Sequence, residues 1–262
     1  EKIPRVLGAT TPEARERAAT FYTSILRAPI HQMQTIKEAE AVKMVENSFR
    51  DVNIAFVNEL AMSFTKLHID VVNVLEGAAT KPFGFMLHSP GCGVGGHCIP
   101  VDPYYLIRYA KKNGFTHRFL SLAREINNGM PAFTVSILEE ELQKQGLKLK
   151  DTTVALLGLS YKANMSDLRE SPALEIAKLL NAKASRLRSF DPYIHEHSTA
   201  MTLSEALRGA DAVVIATAHD VFTSLSPTIL KEYGIKVVID GRNCLSKDAF
   251  EAAGVAYRGI GR

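Results

Sequence analysis

The sequence predicts an α/β protein in which a helical region is followed by a Rossmann-like, doubly wound parallel sheet. From residue 36 to about residue 67 the chain contains no glycine or proline, and apolar residues recur at helical spacing. After residue 150, short apolar runs alternate with helical patterns. Such alternation is typical of an open sheet whose ligands bind beyond the carboxyl ends of its strands.

Composition and charge exclude several classes of protein. The 262 residues are 46% hydrophobic and carry a formal net charge of only +3, so nucleic acid is not an expected partner. The three cysteines form no disulfide framework, and no apolar run reaches the length of a membrane span. We therefore expect neither export nor membrane insertion, and we expect a cytoplasmic location.

The first predicted elements are a strand at Arg5 to Leu7 and a helix directly after it. A lone strand and helix have nothing upstream to pair with, which is typical of the middle of a fold. We therefore expect residues 1–35 to be the remnant of an N-terminal domain and its linker, in a fragment or processed form of a longer protein.

One long helix is predicted from Ile36 to about Leu67. Its recurring apolar residues are Val42, Val45, Phe49, Val52, Phe56, Leu60 and Phe64. A helix of this length spans roughly 48 Å, which is more than a small domain needs. We therefore expect it to be a dimer spine, followed by a shorter helix from Val71 to Ala79.

Further helices are predicted between residues 102 and 145. One has Asp102 as N-cap, Pro103 at its first position and Gly114 just beyond its end. Another runs from about Arg118 to Asn128, and Pro131 starts a further one that reaches Gln145.

The predicted strands of the C-terminal sheet are "TTVALLGL", "SRLRSF", "DAVVIAT", "KVVIDG" and "VAYRGI". The loops expected to hold ligand are "SYKANMSDLRES", "DPYIHEH", "AHDVF" and "GRNCLS". We accordingly divide the chain into residues 1–35, a central helical domain at 36–130 and a C-terminal α/β domain at 131–262.

The stretch "SPGCGVGGHCIPVDPYY", residues 89 to 105, is the strongest candidate for a functional loop. Its glycines match G-x-G-x-x-G, but no strand precedes them and Pro100 follows too soon for a helix, which argues against a dinucleotide fingerprint. Cys92, His97 and Cys98 lack a second pair of ligands at zinc spacing, so no metal site is expected.

Cys98 lies a few residues before a predicted helix start, where unpaired N–H groups and the helix dipole favour a thiolate. The residues alone leave two roles open: a nucleophile beside a pocket lined by glycine backbone, or a small buried hydrophobe. A cysteine hydrolase is disfavoured, because the neighbouring His97 would point elsewhere in an extended segment.

Four stretches together resemble the UDP-glucose/GDP-mannose dehydrogenase family. They are "EAEAVKMVENSFRDVNIAFVNELA", "GCGVGGHCIPVDPYYL", "LGLSYKANMSDLRESPA" and "IDGRN", in the family's order and spacing. The resemblance implies a nucleotide-sugar 6-dehydrogenase of polysaccharide biosynthesis, which oxidises a C6 alcohol to a carboxylate with two NAD⁺ per turnover. It also implies that the family's N-terminal NAD-binding domain is missing here, so that these 262 residues alone would be inactive.

The resemblance assigns a role to each residue that matches a family motif. Cys98 is implied to be the nucleophile that carries a thiohemiacetal and then a thioester, and Asp102 to orient or deprotonate the hydrolytic water. Lys43 and Asn47, one helical turn apart, are implied to hold the reacting oxygen and the water. The implied substrate-binding residues are Gly93, Gly95, Gly96, Tyr161, Lys162 and Arg242, and Arg169 is implied to face NAD.

Without the resemblance, Lys162, Arg169 and Arg242 would be interpreted as solvated surface charges. His97, "IPVDP" and "KPFGFM" resemble the branch that acts on UDP-N-acetylhexosamines. UDP-N-acetylglucosamine is the expected substrate, UDP-N-acetylmannosamine is its close rival, and a homodimer through the long helix is expected. The alternative is a truncated, non-catalytic module for nucleotide-sugar binding and dimerisation. Cys92 replaces the family's usual proline and has no predicted role.

Overall fold

The computed structural model describes residues 2–262, which form a small strand–helix–strand unit, a helical region and a five-stranded parallel sheet. In the first unit, β1 (Arg5–Leu7) and β2 (Ile30–Gln32) pair in parallel, with α1 (Pro12–Ile25) between them. The predicted strand and helix are confirmed. The sequence does not predict β2, because its three residues are too few to show an apolar alternation.

The long helix α2 (Ile36–Leu67) is confirmed, and Thr35 and Glu38 form a capping box at its start. Its buried residues are small or polar with one exception: Asn47, Ser48, Asp51, Ala55, Val57, Asn58 and Ala61. Large apolar residues on its other side are exposed, namely Val45 (59%), Phe49 (48%) and Phe56 (51%). An ordinary surface helix has the opposite polarity, so α2 presents an apolar face to the outside.

Two shorter helices follow, α3 (Val71–Ala79) and α4 (Asp102–Lys112). The predicted N-cap of α4 is wrong: Val101 occupies that position without a side-chain cap, and Asp102 is the first helical residue. The reason is that the Asp102 carboxylate turns away from the helix N–H groups and bonds Asn47 on α2. Gly114 lies beyond the end of α4 with φ +86°, as predicted.

The buried face of α2 packs against α5 (Arg118–Lys144). Arg124 Nη1 lies 2.6 Å from Asp51 Oδ1, and Asn127 Nδ2 donates to the same oxygen at 2.8 Å. Asn58 Nδ2 donates to Asn127 Oδ1 at 2.9 Å. Burial raises the pKa of Asp51, while Arg124 and Asn127 oppose that shift. These buried polar contacts fix α2 against α5.

Helix α5 runs unbroken through Pro131, where the sequence predicts that one helix ends and another begins. Proline lacks the N–H that would bond residue 127, which is a local cost. Pro131 is buried, and α5 packs against α2 and against α6 (Pro172–Lys183), so tertiary packing outweighs that cost. The domain boundary at residues 130 and 131 stays a prediction, and it falls within this helix.

The C-terminal sheet has the strand order β4-β3-β5-β6-β7, and every pair is parallel. Its strands, all of them predicted, are β3 (Thr153–Leu157), β4 (Arg186–Phe190), β5 (Ala212–Ile215), β6 (Val237–Asp240) and β7 (Ala256–Gly259). The helices after α6 are α7 (Leu203–Leu207), α8 (Asp220–Thr223), α9 (Pro227–Glu232) and α10 (Lys247–Ala252), and a 3₁₀ turn at Leu149–Asp151 precedes β3.

Two separate apolar clusters cover the faces of the sheet, which confirms the doubly wound arrangement. The strand order reverses between β3 and β5, and a crevice for ligand is expected beyond the carboxyl ends at such a point. Among residues 2–262, no helix combines the length and the apolar content that crossing a membrane requires.

Candidate active site

A cavity of about 540 Å³ lies where the helical region meets the sheet region. Three segments line it: α2, the glycine-rich loop and the loop after β3. The lining residues are Lys43, Glu46, Asn47, Arg50, Gly95, Gly96, His97, Cys98, Ile99, Tyr161 and Lys162. Most of the predicted site residues are therefore brought together in one place, although the first and last of them, Lys43 and Lys162, are more than a hundred positions apart in sequence.

The four residues predicted to be catalytic are neighbours. Asn47 Nδ2 donates to Asp102 Oδ2 at 2.6 Å, and Lys43 Nζ lies 3.5 Å from the same oxygen. The half-buried Cys98 shares the cavity wall with Lys43 and Asn47. The Cys98 carbonyl accepts the N–H groups of Val101 and Asp102 at 3.1 and 2.8 Å. The thiol is thereby tied to the start of the helix that carries the carboxylate.

Close packing explains why glycine occupies positions 95 and 96. A Cβ on Gly95 would lie 2.5 Å from the Cβ of Tyr161 and 2.8 Å from the Glu170 carbonyl oxygen. A Cβ on Gly96, whose φ is +91°, would lie 2.8 Å from the Tyr161 ring. The Gly96 N–H also donates to the Arg169 carbonyl at 2.8 Å. The two glycines therefore seat the loop on the segment after β3 and hold Tyr161 in the cavity wall.

Substituting Gly95 by alanine should lower the free energy of unfolding by ~1–3 kcal/mol, because the added methyl group overlaps a side chain and a carbonyl. The matched control is Gly77→Ala in α3, where a Cβ meets nothing within 4 Å. That change should raise stability by ~0.5–1 kcal/mol. Urea unfolding of both variants measures the difference, and equal shifts of the two midpoints would contradict the packing argument.

Gly93, in the glycine-rich loop, and Arg242 do not line the cavity with Cys98. Arg242 follows β6, and its Nε donates to the Ala216 carbonyl at 2.8 Å and its Nη1 to the Gly93 carbonyl at 3.4 Å. The Cys92 N–H donates to the Gly241 carbonyl at 2.9 Å. These bonds hold the loop on the carboxyl ends of β5 and β6. The substrate contacts expected of Arg242 and Gly93 stay predictions.

Cys92 is a buried packing residue. Its side chain is fully enclosed, and its Sγ lies 3.4 Å from the Ala216 carbonyl oxygen. Burial raises the pKa of the Cys92 thiol. A buried, protonated thiol is unreactive, so Cys92 is not a candidate nucleophile.

Arg169 lies on the loop after β3 with its side chain exposed and outside the cavity wall. Its Nη2 lies 2.6 Å from Asp167 Oδ2. The hydrogen bonds from Arg169 lower the pKa of Asp167 to about 2. The expected contact of Arg169 with a cofactor stays a prediction.

A buried carboxylate fixes the loop after β3. Asp191, at the end of β4, accepts the Ser160 N–H at 2.8 Å and bonds His219 Nε2 at 3.0 Å. His219 Nδ1 accepts the Asn164 N–H at 2.9 Å, so the proton of the ring is on Nε2. Burial opposes ionisation, yet the bonds from His219, Ser160 and Leu159 hold the pKa of Asp191 well below its usual range. The two residues of this loop that line the cavity lie between Ser160 and Asn164, so these hydrogen bonds hold them in place.

Sequence reasoning misses Glu46 and Arg50, which also line the cavity. The spacing of Lys43, Asn47 and Arg50 is i, i+4 and i+7, which places all three on one helical face and would have identified Arg50. Its Nη2 donates to Asn47 Oδ1 at 2.5 Å. Asp191 and His219 are also missed, because their roles depend on contacts between distant segments.

Comparison with known proteins gives a consistent result. Residues 37–129 match the central domain of the UDP-glucose/GDP-mannose dehydrogenase family, and residues 155–247 match its UDP binding domain. The sequence is 39% identical over 259 residues to the UDP-N-acetyl-D-mannosamine dehydrogenase of Pyrococcus horikoshii, covering 98% of this chain and 60% of that protein. It is 35% identical over 238 residues to the UDP-N-acetyl-D-glucosamine 6-dehydrogenase of Pseudomonas aeruginosa, covering 88% and 56%.

A solved structure of UDP-D-ManNAc dehydrogenase from Pyrococcus horikoshii is similar over the whole of this chain. The TM-score is 0.91 at 37% sequence identity, and the match covers 100% of this chain and 60% of that one. The chain therefore spans about 60% of the length of the relatives it matches.

Proposed function

The chain belongs to the UDP-glucose/GDP-mannose dehydrogenase family, and from that premise we propose that its full-length gene product is an NAD-dependent UDP-sugar 6-dehydrogenase. It oxidises the C6 alcohol of UDP-N-acetylglucosamine or UDP-N-acetylmannosamine to the uronic acid. One observation carries the proposal: the Cys98 thiol shares a cavity with Lys43 and Asn47, and both of these contact the Asp102 carboxylate.

The sugar nucleotide would enter the cavity between α2 and the loop after β3, where Tyr161 and Lys162 form part of the wall. Bound NAD⁺ supplies the hydride acceptor in both oxidation steps. Arg169 fits a cofactor contact, because its guanidinium is exposed and its main-chain carbonyl accepts the N–H of Gly96 in the cavity wall.

Cys98 converts an aldehyde into a group that can be oxidised again. Loss of a hydride from C6 and of the alcohol proton leaves an aldehyde, and the Cys98 thiolate then adds to its carbonyl carbon. Lys43 offsets the negative charge that develops on the oxygen, which takes up a proton to give a thiohemiacetal. Loss of the second hydride from C6 and of the hydroxyl proton gives a thioester on Cys98.

Water then cleaves the thioester. Asp102 accepts a proton from the attacking water, and Asn47, bonded to Asp102 at 2.6 Å, holds the water in line with the carbonyl carbon. The carbon–sulfur bond breaks and Cys98 leaves as a thiolate. In total, one alcohol and one water give one carboxylate, two hydrides and three protons.

The proposed choice of a hexosamine substrate is supported by the relatives, whose names specify UDP-N-acetyl-D-mannosamine and UDP-N-acetyl-D-glucosamine. A uronic acid is a building block suited to polysaccharide biosynthesis. The three free cysteines fit the cytoplasmic location that we propose.

Turnover by the full-length gene product tests the function. We expect two NADH per uronic acid formed, and kcat/KM for an N-acetylhexosamine at least about 10-fold above that for UDP-glucose, because UDP-glucose lacks the N-acetyl group and the binding energy that group would supply. No NADH from any of the three sugars would contradict the proposal. Calorimetric binding of UDP without turnover would instead support the non-catalytic module.

We also propose a homodimer in which the exposed apolar face of α2 is covered by a second copy. Val45, Phe49 and Phe56 lie on this face and are about half exposed or more, although the Phe49 ring also meets His88 edge-on. Tyr105 and Tyr109 of α4 are also more than half exposed. Apolar and aromatic residues of this kind form the centre of stable protein interfaces.

Replacing Phe56 by glutamate should raise the dimer dissociation constant by roughly 100-fold or more, because each copy would bury an unpaired carboxylate. The control is Lys37→Glu, at an exposed position of the same helix. Sedimentation over a range of protein concentrations measures the dimer dissociation constant of both variants. An unchanged association of the Phe56→Glu variant would rule out this face as the interface.

A further inference from the structure

The Asn47 side-chain amide is bonded at both ends. Its Nδ2 donates to Asp102 Oδ2 at 2.6 Å, and its Oδ1 accepts from Arg50 Nη2 at 2.5 Å. Arg50 lies on the same face of α2, one turn further along, and lines the same cavity as Cys98. Its Nε also donates to the Glu46 main-chain carbonyl at 3.4 Å, which keeps the guanidinium along the helix.

The orientation of this amide decides what it offers to the water that cleaves the thioester. Rotation by half a turn about the Cβ–Cγ bond exchanges the oxygen and the nitrogen of an asparagine. The rotated amide of Asn47 would direct its oxygen at the Asp102 carboxylate and its N–H groups at the guanidinium of Arg50. Both contacts would then be repulsive, since a carboxylate only accepts and a guanidinium only donates.

Asp102 alone cannot hold the amide through the whole reaction. While Asp102 is ionised it accepts from Asn47 Nδ2, but once it has taken a proton from water its O–H can donate to an amide oxygen equally well. The guanidinium of Arg50 has only donors and no acceptor, whichever state Asp102 is in. Arg50 therefore fixes the oxygen end of the amide in both states of Asp102.

We propose that Arg50 is a positioning residue that locks the Asn47 amide in the orientation required for hydrolysis of the Cys98 thioester. This inference rests on the proposed function for its chemistry. Arg50 is not required to touch the reacting atoms, because it acts through Asn47. At the other end of this series of contacts, Lys43 Nζ lies 3.5 Å from Asp102 Oδ2.

The first test compares Arg50→Gln and Arg50→Lys in the full-length gene product. Arg50→Gln should lower kcat about 10- to 100-fold, the effect of losing a hydrogen bond from a charged donor, while KM changes less than about threefold. Intact-mass analysis should show thioester accumulating on Cys98. Arg50→Lys should recover part of the loss, because an ammonium can also donate to Oδ1. Lys37→Gln, which removes a charge from an exposed position of α2, should leave kcat unchanged.

A double-mutant cycle tests whether Arg50 acts through Asn47. Adding Arg50→Gln to Asn47→Ala should lower kcat by less than about twofold further, because the amide to be oriented is already absent. If the two losses multiply, or if Arg50→Gln alone stays within about twofold of wild type, the inference is overturned.

A readout that needs no turnover separates this inference from the proposed function. In protein labelled with ¹⁵N-asparagine, the Asn47 side-chain amide protons should exchange slowly in wild type and in Lys37→Gln, and faster in Arg50→Gln. Equal exchange in wild type and Arg50→Gln would overturn the role of Arg50 even in an inactive protein. Absence of NADH from wild type with every sugar would reject the proposed function and leave this readout decisive for Arg50.

Discussion

Replacing Cys98 by serine should lower uronic acid formation by the full-length gene product by about 10³-fold or more. A serine hydroxyl is not ionised at neutral pH and is a poor leaving group compared with a thiolate. Without Cys98 the aldehyde does not become a thiohemiacetal, which is the species that loses the second hydride. We therefore expect at most one NADH per sugar, together with free aldehyde that a carbonyl reagent traps. The measurements are the NADH-to-sugar ratio and the yield of trapped aldehyde.

The matched control is Cys244→Ser, outside the cavity. Cys244 Sγ lies 3.5 Å from Asp240 Oδ1, and burial together with the Asp240 charge raises the pKa of its thiol. A serine hydroxyl can make the same hydrogen bond, so activity should stay within about twofold of wild type. Undiminished acid formation by Cys98→Ser would reject Cys98 as the nucleophile.

Replacing Arg124 by methionine should lower the free energy of unfolding by about 3–5 kcal/mol at neutral pH, because it leaves the Asp51 carboxylate buried without its ionic partner. Both side chains of the pair are almost completely enclosed, and their atoms approach to 2.6 Å. The same change frees α2 from α5, so it should also disturb the cavity wall that contains Lys43 and Asn47.

The pH dependence of Arg124→Met follows from the pKa of Asp51, which burial raises and which Arg124 helps to lower. Without Arg124 the pKa rises further, so the folded state keeps a proton that the unfolded state has released. A carboxyl group whose pKa is raised in the folded state stabilises the folded protein at low pH. This stabilisation is lost as the pH rises through the folded-state pKa. The free energy of unfolding of the variant should therefore be closer to that of wild type at about pH 5 than at about pH 8.

Urea unfolding at both pH values measures this, with Lys144→Met on the same helix as control. The exposed Lys144 pairs with Glu141 at 2.7 Å, and the loss of such a pair costs about 1 kcal/mol or less. The double variant Asp51→Leu with Arg124→Met should recover part of the stability, because neither charge of this pair is left buried alone. A cost for Arg124→Met equal to that of Lys144→Met would contradict the importance of the buried pair.

Most elements of the fold follow from local patterns. The β3 and β6 strands are predicted because apolar runs bounded by Gly and Asp differ clearly from the helical patterns between them. The break predicted at Pro131 fails, because the local cost of a proline is overcome by helices packed on both sides, which no short window of sequence shows. The N-cap predicted at Asp102 fails for the same kind of reason: the carboxylate has a better partner 55 positions away.

The candidate site is likewise predicted only in part from the sequence. Cys98, Lys43, Asn47 and Asp102 are predicted from motifs whose order and spacing are specific. Their mutual geometry, and the part played by Arg50, require the helix to be seen beside the loop. The Asp51 and Arg124 pair joins residues 73 positions apart, and nothing in either local segment indicates it.

In the proposed dimer, the reversed polarity of α2 would make the proposed activity depend on protein concentration. The helix directs polar groups inward and Val45, Phe49 and Phe56 outward, so in the proposed dimer much of its apolar stabilisation comes from the other copy. Association then adds to the folding stability of the segment that carries Lys43 and Asn47 by mass action. Dilution below the dissociation constant would then loosen the cavity wall and the interface together, so the specific activity expected of the full-length gene product would report whether the dimer is present.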